Sequence, residues 1–381
     1  MRSVILNIRI SPLSSLHFRV HIPIRAFPMF ILKAWRSTAF GVYGYLNFTK
    51  SAFIEHSKKF KSEDMETNIE GKNCIVTGAN SGIGYATAHG LASRQRRKAH
   101  RGAKRAWSLG RRHEAKVCAL WSGATVYMVC RNKEKGEAAL SEIQSMTGNQ
   151  NVHLEVCDIS SISGIKSFVS KFSSKNMPVH VLVNNAGLLE CTLIKTPEGF
   201  ELNFAVNVLG TYAMTELMLP LLEKAAPDAR VITVSSGGMY SVPLTKDLQF
   251  SDSKFDGVLQ YARNKRVQVA LMEKWAKAYE NKGVGFYSMH PGWAETPGVA
   301  KSLPDFSKSF SGKLRTSEEG ADTIIWLALQ PKEKLVSGAF YFDRAEAPKH
   351  LILAATKGSH AEIDSIVDSL RSLSGLSSLT R

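Results

Sequence analysis

The chain has no C-x-x-C pair, and its five cysteines (Cys74, Cys118, Cys130, Cys157 and Cys191) are an odd number at scattered positions. A disulfide-stapled scaffold and a cysteine-built metal site are therefore not expected; reduced thiols, an intracellular setting and no metal are. No internal repeat or low-complexity tract is present, so nothing argues for a repeat array. Acid is missing altogether from residues 1–54. Long apolar runs are missing as well. In the aromatic-rich stretch 29–54, Lys33 and Arg36 interrupt the sequence well short of the ~20 residues a spanning helix needs. That stretch reads either as a segment lying in a membrane interface or as a leader helix packed on the protein's own surface, the second being the simpler.

The scarcity of acid gives a net charge of +16, which invites a nucleic-acid reading until the charge is located. Residues 1–54 carry +7, residues 95–122 carry +8, and the remainder is +1. A nucleic-acid footprint should lie on the folded face or in a recognised module, so no nucleic-acid partner is expected. Residues 1–28 have the composition of an organelle transit peptide or of an extension upstream of Met29, a plausible second start. The compartment stays open between cytoplasm and organelle. Residues 95–122, QRRKAHRGAKRAWSLGRRHEAKVCALWS, show neither a helical nor a strand period. Without them YATAHGLASR runs into GATVYMVCRN, a helix, a glycine stop and a strand at ordinary connection length. They are expected to be an insert extruded at a helix–strand turn, either a functionless insertion, the simpler reading, or a docking loop for an acidic partner or anionic surface.

The stretch that organises the chain is GKNCIVTGANSGIG, Gly71 to Gly84. Cys74–Val76 reads as a buried strand, Thr77-Gly78 as a turn, and Gly82-Ile83-Gly84 as the opening of a helix. Strand, glycine turn and helix form the local plan for a dinucleotide pyrophosphate. Gly78 permits the turn, Gly82 lets backbone N–H groups approach phosphate, and Gly84 lets helix and strand pack closely. The helix start adds unpaired N–H groups and a positive dipole end. The G-x-x-x-G-x-G spacing differs from the commoner G-x-G-x-x-G.

From Ala124 onward apolar strands alternate with helical segments up to a last strand over 338–342. This pattern predicts an α/β fold with a doubly wound, Rossmann-like parallel sheet. The expected division is an extension over 1–70, one domain over 71–345 interrupted by the insert, and a tail over 346–381 with an amphipathic helix. In such sheets ligands lie beyond the carboxyl ends of the strands, so those ends matter. Strand two ends Cys130-Arg131-Asn132. Arg131, where an acid would select NAD, can pair with a 2′-phosphate and points to NADP; the alternative is a surface arginine at a strand end. Asp158 and Ile159, ending strand three, can meet an adenine, or Asp158 can cap the following turn. Asn184-Asn185-Ala186-Gly187 ends strand four and can line a cofactor or brace the sheet. Strand five ends Val234-Ser235-Ser236, and 25 residues later come Tyr261 and Lys265, one turn apart on one helix face. A lysine cation there, together with a positively charged nicotinamide ring, should lower the phenol's pKa into a working range, and Ser236 can hold a substrate oxygen where charge develops.

Taken together, TGANSGIG at 77–84, NNAG at 184–187, VSS at 234–236, Tyr261-x-x-x-Lys265 and HPGW at 290–293 resemble the short-chain dehydrogenase/reductase family in order and spacing. That resemblance implies an oxidoreductase using NADP (NADPH), with NAD less favoured, and Tyr261 as acid/base. It further implies that Lys265 tunes the tyrosine, Ser236 polarises the carbonyl, and Asn207 completes a proton relay by holding a water near the lysine. It implies cofactor contacts from Gly78, Asn80, Ser81, Gly82, Ile83, Gly84, Arg131, Asn132, Asp158, Ile159, Asn185, Ala186 and Gly187. Tyr261, Lys265, Pro291, Gly292 and Thr296 complete that set. The substrate is expected to be a small lipophilic molecule, because Trp293, Leu303, Phe306 and Phe310 fall near the site; ordinary lid packing is the alternative for those four. Peripheral membrane contact and a homo-oligomer stay open. The competing reading is a membrane-associated or scaffold protein that keeps the fold without turnover.

Overall fold

The computed structural model of the protein describes residues 3–9, 17–23, 29–93, 123–250 and 254–376. Seven parallel strands form the sheet: β1 (Asn73–Thr77), β2 (Thr125–Cys130), β3 (Val152–Val156), β4 (Val181–Asn184), β5 (Ala229–Val234), β6 (Val284–Met289) and β7 (Phe340–Phe342). A short β8 (Ala345–Ala347), not foreseen from the sequence, turns back antiparallel on β7. The order across the sheet is β8-β7-β6-β5-β4-β1-β2-β3. It reverses at β1, where Val76 pairs with Met128 of β2 on one side and Val183 of β4 on the other. The crevice at that reversal is where such sheets bind ligands. Ser3–Arg9 and His17–Pro23 form a separate antiparallel ribbon.

The strands read as continuous apolar runs because helices cover both faces. Alternation along β1 sends Cys74 and Val76 to one face and Ile75 to the other. On the first face they meet α3 (Gly82–Ala92), α4 (Lys133–Thr147) and α10 (Ser317–Leu329) through Ala88, Leu91, Ile143, Ile324 and Leu327. On the second face lie α5 (Ile162–Ser173), α6 (Thr211–Glu223) and α7 (Gly257–Ala278), with Phe172, Met218, Leu271 and Trp275 in one core. The long helical run before α6 is not uniform: a π-helical turn, Ala205–Gly210, precedes it. Among the described residues, Leu202–Glu223 is the one helical run apolar and long enough to span a bilayer, and 83% of its apolar window is buried in the protein. It is a core helix.

Two regions depart from the expected division. The C-terminal helix α11 (Ile363–Ser374) buries Ile366 and Leu370 in the second core, so the tail is docked rather than appended. At the other end, α1 (Met29–Asn47) and α2 (Lys50–Ser57) pack on the domain through Phe48, which is 1% exposed and clustered with Tyr240, Phe340 and Phe342. The end of α2 and the stretch between α2 and β1, within the expected extension, are likewise engaged. His56 Nδ1 lies 2.7 Å from Asp343, and the Arg344 guanidinium lies 4.3 Å over the Phe60 ring.

The basic insert 95–122 lies outside the described residues, but the chain on its two sides does not. Ala124 N–H donates to Leu91 C=O at 2.9 Å, and Asn149 Nδ2 donates to Ala92 and Ala124 carbonyls at 3.0 Å each. The end of α3 and the start of β2 are therefore tied directly together, as the sequence with the insert removed implies.

Candidate active site

The glycine turn folds back on the end of β4. Gly78 and Gly82 have φ of 67° and 55°, a region open to glycine without strain. At Gly84 a Cβ would stand 2.2 Å from the Gly78 carbonyl oxygen, so only a bare Cα lets α3 start there. Thr77 Oγ1 accepts from the backbone N–H groups of Asn185 and Ala186 at 3.0 and 2.9 Å, and Asn185 Nδ2 donates to Thr77 C=O at 2.8 Å. Asn185 and Ala186 thus brace the turn, the more local of their two expected roles. Ser81 sits exposed at the N-cap of α3 and makes no capping bond with its hydroxyl. Asn80 and Ile83 flank it, and Ile83 leans against Gly320 of α10.

Around this cradle the other strand ends converge. Arg131 is exposed, and its guanidinium has no hydrogen-bond or ion-pair partner among the described residues. Its neighbour Asn132 is committed as the N-cap of α4, accepting from Lys135 N–H at 2.7 Å. Asp158 Oδ1 accepts from the Ser160 backbone N–H and hydroxyl at 2.9 and 2.8 Å, the turn-bracing role. Ile159 is 7% exposed and belongs to the core beneath the π-helical turn. The loop after β6 comes round to the glycine turn: a Cβ on Gly82 would meet Thr296 Cγ2 at 3.4 Å. Thr296 also caps α8 (Pro297–Ser302), the first of two short lid helices with α9 (Pro304–Ser309). Pro291 and Gly292 precede it, Gly292 with φ of 80°. Of the four apolar residues expected near the site, Trp293, Phe306 and Phe310 stack on one another at 4.8 to 5.3 Å. The structure gives them the lid-packing role.

The polar centre lies between β5 and α7. Ser236 follows β5; its hydroxyl accepts from the Gly238 N–H at 3.2 Å and lies close enough to Tyr261 to act on the phenol. Lys265 is 3% exposed; its Nζ donates to Val234 C=O at 2.8 Å and lies 5.3 Å from the centre of the Tyr261 ring. Gly187 faces this group, since a Cβ there would stand 3.4 Å from Lys265 Nζ and 3.2 Å from Asn207 Oδ1. Asn207 sits in the π-helical turn with its side-chain amide paired both ways to the Leu188 backbone, at 2.8 and 2.9 Å. Its own carbonyl accepts from Gln268 Nε2 at 2.7 Å.

The electrostatics correct one expectation. Tyr261 is not lowered in the protein alone: burial pushes the phenol up to about 12, against the smaller opposing effect of Ser236. Burial also pushes Lys265 down to about 7. Near neutrality the lysine is only partly a cation, and desolvation of the pair outweighs the attraction that the i, i+4 spacing suggests.

The site also contains residues to which the sequence assigned no role. His290, within HPGW, is 3% exposed and accepts the Gly237 N–H on Nδ1 at 3.0 Å. Phe48 and Arg315 stand behind it. Their positions in sequence carry no motif, and only the fold brings them here.

The bare cradle at Gly78, Gly82 and Gly84, the uncommitted Ser81 hydroxyl and the unpartnered Arg131 fit an elongated phosphate-bearing ligand crossing the crevice. Two open hollows, about 590 and 610 Å³, lie elsewhere along the sheet edges and touch none of these residues.

Residues 107–306 match the model of the short-chain dehydrogenase family; the match begins inside the insert, beyond the glycine turn. The chain is 40% identical to bovine dehydrogenase/reductase SDR family member 12, over 89% of this chain and 98% of that one. It is 34% identical to human retinol dehydrogenase 12, over 75% and 83%. Among solved structures, a 7α-hydroxysteroid dehydrogenase complexed with NADH aligns with a TM-score of 0.54 and 22% identity, over 74% of this chain and 95% of that one. The chain is an NAD(P)-dependent oxidoreductase and belongs to the short-chain dehydrogenase/reductase family.

Proposed function

We propose that the protein uses NADP(H) to interconvert a carbonyl and a secondary or primary alcohol on a small lipophilic substrate, with Tyr261 as acid/base. The nicotinamide supplies or accepts the hydride. Tyr261 passes its phenolic proton to the oxygen of the reduced carbon, or takes one from the alcohol. Ser236, beside Tyr261, holds that same oxygen and orients it. Lys265 stands between Tyr261 and the buried polar groups of the π-helical turn. The Asn207 carbonyl there is the group that would hold a relay water, since the Asn207 side chain is committed to Leu188. Arg131 is free to pair with a 2′-phosphate, and the absence of an acid at that strand end favours NADP over NAD. The cradle residues Gly78, Asn80, Ser81, Gly82, Ile83 and Gly84 would hold the pyrophosphate. Pro291, Gly292 and Thr296 would border the nicotinamide end.

The observation that carries the reading is the Ser236–Tyr261 contact with Lys265 one turn further on, at the strand ends beside the switch point. The lipophilic class is supported by relatives named for retinol, a lipophilic alcohol. The exposed apolar side of α1 supports peripheral contact with a lipid surface.

The test is a titration of wild type and Tyr261→Phe with NADPH and NADH by nicotinamide fluorescence, followed by turnover of retinol with NADP. Wild type should bind NADPH more tightly than NADH. Tyr261→Phe should keep that binding while losing about 100-fold or more in kcat. Turnover in Tyr261→Phe equal to wild type would remove the proton-transfer assignment. A wild type that binds neither coenzyme tightly enough to detect would favour the catalytically silent scaffold.

A further inference from the structure

We propose that Phe48 and Arg315 are positioning residues of the active site, through which the helix pair α1–α2 holds the loops carrying Ser236 and Pro291–Thr296. The inference rests on the functional reading above and adds to it a part of the chain that precedes the glycine turn.

Arg315 is 1% exposed, and every arm of its guanidinium is engaged. Nη2 donates to Asn47 C=O at 2.8 Å, and Nε to Phe48 C=O at 3.0 Å and more weakly to Thr49 C=O at 3.3 Å. The Asn47 and Phe48 carbonyls lie at the C-terminal end of α1, where the helix offers them no partner and a cation is favoured. Nη1 and Nη2 also fork onto both oxygens of Asp343, which His56 of α2 contacts from the other side. One buried arginine thus joins the end of α1, α2 and the residue that follows β7.

The same arginine supports the loop after β6. Its backbone N–H donates to Trp293 C=O and its carbonyl accepts from Glu295 N–H, both at 2.8 Å, while Trp293 N–H donates to Phe48 C=O at 2.9 Å. A Cβ on Gly292 would stand 2.3 Å from Arg315 Nε, so the Pro291–Gly292 backbone lies directly on the guanidinium.

Phe48 serves the second loop. Its ring centre is 4.2 Å from that of His290, at 72°. His290 Nδ1 accepts the N–H of Gly237, the residue after Ser236. That bond fixes the neutral ring with its proton on Nε2, an atom with no nitrogen or oxygen partner in its buried surroundings. Burial, and secondarily the Arg315 guanidinium, holds the ring neutral. A Cβ on Gly237 would meet Phe48 Cε2 at 2.4 Å and His290 Nε2 at 3.1 Å. The phenyl ring therefore fills the space immediately behind the peptide that places Ser236. Removing it leaves a void where Ser236, His290 and Pro291 all take their positions.

The experiment uses the full chain carrying Phe48→Ala, Phe48→Leu or Arg315→Lys, compared with wild type well below each melting temperature. The readouts are NADPH dissociation constant, kcat and melting temperature. Phe48→Ala should weaken NADPH and lower kcat by about tenfold each, because small misplacements at a reacting centre are costly. Phe48→Leu, which refills part of the void, should recover part of both. Arg315→Lys, which keeps the charge and loses the fork, should weaken NADPH more than it lowers kcat. Should Phe48→Ala fail to fold, Phe48→Leu and Arg315→Lys decide. Folded variants with lower melting temperatures but NADPH affinity and kcat within about twofold of wild type would reduce these residues to packing and overturn the inference. A wild type that does not bind NADPH would overturn the functional reading, and this inference with it.

Discussion

Tyr261 and Lys265 are held in a site that neither would choose as an ion. The phenol, pushed up to about 12 by burial, stays protonated across the physiological range in the protein without coenzyme. Lys265, pushed from 10.5 down to about 7, costs stability whenever it is charged. The sign follows from proton counting. Between about pH 7 and 10 the unfolded chain keeps a proton on Lys265 that the native chain has released, so native stability rises with pH across that window. Replacing the lysine removes this dependence. Lys265→Met loses the bond to Val234 C=O, worth about 1 kcal/mol at any pH. It also escapes a desolvation cost of several kcal/mol near pH 7, each pKa unit being about 1.4 kcal/mol. The variant should be inactive yet more stable than wild type by a few kcal/mol at pH 7, with the advantage shrinking towards pH 10. Urea unfolding of both proteins at several pH values checks this. A difference that stays flat with pH would mean that Lys265 is not the dehydrated group described.

At the scale of elements, the insert is the feature most open to test. Its two ends are pinned by Leu91, Ala92, Ala124 and Asn149, so α3 and β2 do not need it to find each other. Deleting residues 95–122 should leave a folded chain that binds NADPH as wild type does. It should gain about 1–3 kcal/mol from the shorter loop to close, read as a higher urea midpoint. Loss of folding or of coenzyme affinity would show that the segment takes part in the structure. The same region shows why so much of the sheet was legible. CIV, TVYMVC and VITV are apolar runs bounded by glycine, asparagine and serine, and a parallel sheet covered on both faces demands such runs. Glycine spacing at 78, 82 and 84 and the Tyr261–Lys265 spacing are local, so they read directly. The π-helical turn at Asn207 was hidden because its sequence, AVNVLG, is as apolar as a regular helix. The docking of Phe48 under His290 and of Arg315 under Gly292 was hidden because each partner lies far away in sequence. The upward Tyr261 shift in the protein without coenzyme was hidden for a related reason: spacing reveals the neighbouring lysine but not the burial that outweighs it.

At the scale of the whole molecule, charge and apolar exposure divide the surface unevenly. One stripe of α1, with Arg36, Phe40, Tyr43, Gly44 and Asn47, faces the domain. A second stripe, roughly a third of a turn away, carries Ile31, Trp35, Val42, Tyr45 and Leu46, which are 40–64% exposed. The loop beside it adds Ile352 at 83% and Leu353 at 41% exposed, joined to α1 by the Trp35 indole N–H donating to Ile352 C=O at 3.1 Å. A patch of isoleucine, leucine, tryptophan and tyrosine with the exposed Lys33 and no acid nearby in sequence matches the interface of an anionic bilayer. It also sits on the helix whose end holds the Ser236 and Pro291 loops, so a lipophilic substrate partitioned into the bilayer would be close to the lid. The full chain should co-sediment with phosphatidylserine-containing vesicles more than with phosphatidylcholine alone, and less as salt rises. Combined replacement of Ile31, Trp35 and Val42 by serine should lower the vesicle-bound fraction by about tenfold or more without changing NADPH affinity, because those side chains point away from Phe48 and Arg315. A triple variant that sediments like wild type would assign this face to something other than lipid, and a lower NADPH affinity in it would show that the stripe also supports the site.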